Sequence, residues 1–157
     1  VHTLEDAALT AVQEAMLRKI VTELNGFDNL YYEICNEPYV RNIVTDAWQA
    51  HMAGVIVDTE ASLPNKHLIA QNIANGSEEI VNPDPRVSIF IFHYAKPPTA
   101  VTVNYGLGRP IADDETGFAG NEPEAYRLEG WDFMIAGGAV YDNLDYSFTV
   151  GHEDGSA

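Results

Sequence analysis

The sequence is short of positive charge and has almost no cysteine. Eight Lys and Arg stand against 24 Asp and Glu, a formal net charge of −16. Such an acidic chain would repel a phosphate backbone, which argues against a nucleic acid as partner. A neutral substrate fits the charge better. The one cysteine, Cys35, rules out an intrachain disulfide. It lies in an apolar stretch and reads as a buried bystander rather than a nucleophile. No apolar run reaches the roughly 18 residues that a membrane span needs, so no membrane partner is expected. No signal-like segment precedes Val1, so any address is expected to have been removed, and localisation stays open. Repeats, linkers and low-complexity segments are also missing.

What is present is enough for one domain over 1–157 with a real core, since 46% of the 157 residues are hydrophobic. Thr3 to Leu24 reads as a helix. Leu9, Val12, Met16, Ile20 and Leu24 recur every three or four residues as a core-facing stripe, and Asn25-Gly26 stops it. Leu30 to Cys35 is then a strand. Thr45 to Leu63 is a second helix, with Trp48, Met52, Val55, Ile56 and Thr59 on one face. His67 to Gln71 is a strand that runs into Asn72-Ile73-Ala74-Asn75-Gly76-Ser77, a loop by composition. Val87 to His93 is almost continuously apolar, as a parallel strand covered on both faces should be. Lys96 to Leu107 is ambiguous, with a short helix possible after Pro97-Pro98. Pro110 to Asp114 is a strand, Glu124 to Gly137 a helix, and Ala139 to Leu144 a fifth strand before a frayed tail from Gly151. Strands and helices in alternation predict an α/β fold with parallel strands and right-handed crossovers.

Two strand ends draw the chemistry. Leu30-Tyr31-Tyr32-Glu33-Ile34-Cys35-Asn36-Glu37-Pro38 must stop near Glu37, because proline offers no N–H to a ladder and biases its predecessor away from helix. That leaves a carboxylate at a strand tip with the Asn36 amide beside it. Glu115, in Asp113-Asp114-Glu115-Thr116-Gly117, sits in a similar setting. In barrels of alternating strands and helices, the C-terminal strand tips are where chemistry is built. Period-two alternation puts Asp113 on the same side as Glu115 and Asp114 on the other. Glu33 reads as an interior carboxylate, and Trp131 as core.

The string Tyr32-Glu33-Ile34-Cys35-Asn36-Glu37-Pro38 resembles the fourth-strand signature of retaining TIM-barrel glycoside hydrolases of the cellulase-like clan, family 5 among them. Phe92-His93-Tyr94 is similar to that family's sixth-strand His and Tyr, and Glu115-Thr116-Gly117 to its Glu-x-Gly. The resemblance implies a partial (half) TIM barrel of about five parallel strands, matching the fourth to eighth. It implies Glu37 as general acid/base, Glu115 as nucleophile, and a β-linked oligosaccharide or glycoside as substrate, with no metal and no organic cofactor. A retaining mechanism needs the two carboxyl groups roughly 5–5.5 Å apart. Asn36 would hold a sugar hydroxyl, Tyr94 would donate to Glu115, and His93 would lie beside the substrate. His93 and Tyr94 are adjacent here, whereas the family separates them by one residue, so which ring faces the sugar stays open. Tyr146, with Trp131, Tyr141 and Phe148, is a candidate to stack on a sugar face.

The family's first three strands have no counterpart here; a whole barrel runs to about 250 residues. Open strand edges invite pairing, so a homo-oligomer covering the barrel edges is expected. Two other readings remain: a carbohydrate-binding or weakly active barrel fragment lacking a complete subsite, and an inverting hydrolase or lyase using Asp113 and Asp114. His152-Glu153-Asp154 reads as a solvated tail rather than a metal site. Asp142, Asn143 and Asp145 lack the full pattern of a calcium loop.

Overall fold

The computed structural model describes residues 1–40 and 43–157. Its elements in order are α1 (Ala7–Leu24), β1 (Tyr32–Glu33), α2 (Asp46–Glu60), β2 (Ile69–Asn75), β3 (Ile89–His93), α3 (Thr99–Asn104), β4 (Ile111–Glu115), α4 (Pro123–Ile135) and β5 (Val140–Tyr141). The strands follow one another in the sheet as β1-β2-β3-β4-β5, and β1 with β2, β3 with β4 and β4 with β5 pair in parallel. The fold is therefore α/β, five parallel strands with the succession of a half (β/α) barrel, as the alternation of elements predicts. The connection 76–88 between β2 and β3 is irregular, so the helix expected of strict alternation is missing there.

The chain divides into two compact units. The first comprises Val1–Ile73 with Asn82–Ile89, and the second Ala74–Val81 with Phe90–Ala157.

In the first unit, α1 starts at Asp6, whose carboxylate accepts from the N–H groups of Ala8 and Leu9 at 3.0 Å each. The helix therefore begins after Asp6, later than the expected Thr3, since a carboxylate at this position satisfies two of the helix's free donors at once. The face that α1 buries also differs from the expected stripe. Val12, Met16, Ile20 and Leu24 are exposed, Val12 at 65%, whereas Thr10 and Val21 are buried and Leu17 joins the core. Two apolar rows lie one residue apart on this helix, about 100° around its axis, and sequence spacing does not tell which one faces inward. Polar contacts select the second row: Gln13 accepts from the Trp48 indole at 3.0 Å, and Glu14 meets His51 at 2.7 Å, both on α2. Val21, Tyr32, Ala53, Ile56 and Ile69 form the core, with Leu17, Leu30, Ile34 and Leu63 packed against it.

A buried polar network closes this unit behind β1 and β2. Glu60 accepts from Asn25 at 3.2 Å, from the His67 backbone at 2.8 Å and from the His67 ring at 2.5 Å. The other ring nitrogen of His67 faces the Phe27 carbonyl at 2.7 Å. With an acceptor at both nitrogens, the imidazolium form is favoured, and the Glu60 hydrogen bond foremost, then the Phe27 carbonyl, raise the His67 pKa. Asn25, the residue that stops α1, thus also ties it to the segment before β2.

Strand limits differ at both ends of the expected set. β1 pairs over two residues, Tyr32 with Ile69 and Glu33 with Ala70, and Glu33 is exposed rather than interior. β2 extends through Asn75, across a stretch whose asparagines read as loop; burial of Asn72 and Ala74 shows that packing outweighed composition.

In the second unit, Phe90 to His93 of β3 are buried, and Phe90, Phe92, Val101, Ile111, Ala112 and Phe133 make the core. α3 resolves the ambiguous stretch as a short helix with a 3-10 turn, Tyr105–Leu107. β4 pairs with β5 through Ala112 and Val140. Gly138 lets the backbone pass close to Phe133: a Cβ there would lie 2.2 Å from the ring. Trp131 is not core but 63% exposed, lining an open groove with Tyr126, Gly130, Met134 and Tyr141. The tail is folded back, with the Ala157 N–H donating to the Ser147 carbonyl at 3.2 Å.

Candidate active site

The first unit holds Asn36 and Glu37. Glu37 has φ +43, and its carbonyl accepts from the Val40 N–H at 3.0 Å, so the chain turns sharply at the Asn-Glu-Pro. A left-handed conformation costs a non-glycine residue about 1–2 kcal/mol and persists where the surroundings hold it. Pro38 beyond it is buried, Glu37 is half-buried and Asn36 is exposed.

The second unit brings His93, Tyr94 and Glu115 together. His93 ends β3 and is 1% exposed. Its Nδ1 lies 3.5 Å from Glu115 Oε2 and its Nε2 lies 3.5 Å from Asp114 Oδ1. Tyr94 follows at φ +53. Its hydroxyl donates to Glu115 Oε1 at 2.6 Å, and its N–H to the Glu115 carbonyl at 2.8 Å. Glu115 is thus gripped at both carboxylate oxygens, by a phenol and by an imidazole. Phe118 stacks on the Tyr94 ring with centroids 5.7 Å apart, and the His93 ring meets it edge-on at 6.0 Å.

Simple alternation along β4 fails because the strand carries an irregularity. Phe92 pairs with Asp113, but His93 pairs with Glu115, so Asp114 is the extra residue. Asp114 therefore reaches the same imidazole as Glu115. Asp113 instead is fully buried, with one oxygen accepting from the Ala95 N–H at 3.2 Å and the other without a hydrogen-bond partner among the described residues. Burial, above all, pushes its carboxyl up to about 7, and Glu129 adds to the rise.

The remaining candidates lie elsewhere. Tyr146 is 46% exposed on the loop after β5, its N–H donating to the Gly120 carbonyl at 3.1 Å. Phe148 is 66% exposed. Cys35 is half-buried, and burial followed by the charge of Glu33 raises its thiol pKa, which suits an unreactive group. The terminal acids serve local turns: Glu153 accepts from Gly151 and Asp154 from Ser156. Asp145 likewise accepts from the Ser147 N–H and hydroxyl. Phe118 is a neighbour of the site that the sequence reading missed, and Asp114, expected to face away from Glu115, reaches the same imidazole. The only signal for Phe118 was its place beside Gly117; nothing local announced the irregular pairing.

The chain is an α/β fold of parallel strands, with an imidazole and carboxylates at the ends of β3 and β4 and a phenol directly after β3. A solved structure shares it. Over 85% of its length the chain is similar, with a TM-score of 0.70 and 18% identity, to a "putative glycoside hydrolase" from Bacteroides vulgatus ATCC 8482, of which it spans 28%. At that identity the likeness shows the fold. No family model and no curated protein matches the chain.

Proposed function

We propose that the chain carries the two carboxylates of a retaining β-glycoside hydrolase. Glu115 attacks the anomeric carbon, and Glu37 protonates the leaving oxygen and then activates water. The observation that carries this reading is the grip on Glu115. A phenol at 2.6 Å and an imidazole at 3.5 Å fix the carboxylate's plane, leaving it oriented for attack rather than free to rotate. Asn36, exposed beside Glu37, is available to a sugar hydroxyl, and Tyr94, stacked on Phe118, presents an aromatic edge to the same region as Glu115. The substrate class is a β-glucoside, a cello-oligosaccharide or a β-galactoside, and the chemistry needs no cofactor.

The experiment is hydrolysis of aryl β-glycosides by the wild type, by Glu115→Ala and by Glu37→Ala. Turnover should vanish in the first variant, and azide should restore it as a glycosyl azide of inverted configuration. Comparable rates in Glu115→Ala and wild type reject the nucleophile. The chain's span of 28% of the Bacteroides protein favours one rival, a barrel fragment that binds sugar with little turnover. Saturable oligosaccharide binding without hydrolysis would select it. Self-association belongs to the same proposal, and the exposed Val12, Met16, Ile20 and Leu24 are apolar surface available for it. A single-chain mass at micromolar concentration would dismiss it.

A further inference from the structure

Asp113 is a buried acid that the proposed chemistry does not use. Its side chain is fully excluded from solvent, and one of its two oxygens has no hydrogen-bond partner among the described residues. A half-satisfied carboxyl in such a place is unfavourable for the fold. Among the described residues no ion pair reaches it, and the Lys96 ammonium instead lies 3.5 Å from Glu129, whose other oxygen accepts from the Thr116 hydroxyl. Among the described residues, the hydrogen bond to its carboxylate comes from the backbone N–H of Ala95, at 3.2 Å.

That N–H is the first one after Tyr94. At φ +53, Tyr94 holds a conformation that a non-glycine residue keeps only when both flanking peptides are fixed. The peptide before it is tied to β4 by its own N–H, which donates to the Glu115 carbonyl at 2.8 Å. The peptide after it is tied to β4 by Asp113. Two ties from one strand, two residues apart, set the direction in which the phenol leaves the backbone. The phenol ends on Glu115 Oε1.

We propose that Asp113 is a positioning residue: by holding the Ala95 N–H it fixes the turn at Tyr94 and, through Tyr94, the orientation of Glu115. The contact itself stands on geometry within the second unit; its consequence for turnover rests on Glu115 being the nucleophile.

The test uses protein labelled with carbon-13 at the tyrosine hydroxyl-bearing carbon, with the Tyr94 signal assigned by its loss in Tyr94→Phe. Asp113→Leu fills the space but removes the acceptor, and Asp113→Asn restores an acceptor oxygen. In Asp113→Leu the Tyr94 signal should move in the same direction as in Glu115→Ala, and in Asp113→Asn it should return toward wild type. On an aryl β-glycoside, Asp113→Leu should lower kcat about ten-fold or more with KM changed less than roughly two-fold, and should add nothing in a Tyr94→Phe background. A wild-type Tyr94 signal in folded Asp113→Leu, or losses that multiply in the double variant, would overturn the proposal. If Asp113→Leu does not fold, Asp113→Ala gives the same readout without added bulk. If the wild type hydrolyses no glycoside, the hydrolase reading fails while the carbon signal still decides the role of Asp113.

Discussion

Replacing Asp113 by Asn should change how the stability of this protein depends on pH. The wild-type carboxyl is 0% exposed and is pushed from 3.8 to about 7, chiefly by burial. A group whose pKa is raised on folding contributes stability that is fully present below its unfolded value and is lost as pH rises through the folded one. The whole shift, about 3 units at 1.36 kcal/mol each, is worth about 4 kcal/mol. Between about pH 5 and pH 8.5 the part that is lost is about 3 kcal/mol, because the unfolded carboxyl ionises from 3.8 upward and part of the loss has already occurred by pH 5. Asn has nearly the same shape, keeps an oxygen for the Ala95 N–H and carries no charge at any of these pH values. The assay is urea unfolding of both proteins across that range, followed by circular dichroism. The stability of Asp113→Asn relative to wild type should rise by about 3 kcal/mol from the acid to the alkaline end, with similar m-values. Every other ionisable group is common to both proteins, so the comparison isolates position 113 to first order. Two curves that stay parallel would mean that Asp113 ionises without penalty, and the burial argument would be refuted.

Other consequences can be measured on the same material. His67→Gln should cost about 2 kcal/mol near pH 6, where the imidazolium donates to Glu60 and to Phe27. Because the folded pKa of His67 is raised, that stabilisation is complete below about 6.5 and fades as pH rises through the folded value, so the variant should approach wild type at alkaline pH. Gly117→Ala should lower Tm by several degrees, since φ is +119 and the new Cβ would meet Tyr126 at 2.2 Å. Gly108→Ala, at φ +62 with open space around it, should cost only about 1–2 kcal/mol. Met16→Ser on the exposed row of α1 should shift stability by roughly 0.5 kcal/mol or less. Val21→Ala, fully buried on the same helix, should cost about 1–3 kcal/mol in the same melts.

Some features were legible because they are local. Strand against helix followed from β-branched and aromatic runs and from proline, so β3, β4, α2 and α4 fall close to where the residues put them. The string from Asp113 to Gly117 marked Glu115, and Phe92-His93-Tyr94 marked its neighbours, because residues at two strand ends suffice for that inference. The buried face of α1 was misread for a physical reason: two apolar rows share the helix, and the Trp48 and His51 partners that choose between them arrive from 30 or more residues away. The extension of β2 through Asn72 and Asn75 was missed because composition speaks for a loop and only packing speaks against it.

The amino-acid order by itself determined the parallel α/β class and the chemical types at the strand ends, since both depend on propensity and spacing along one stretch of chain. Tertiary structure alone decided the register. One extra residue against β3 turned Asp114 toward the imidazole and sealed Asp113 behind the Tyr94 turn, and a register depends on the partner strand, which no local pattern contains.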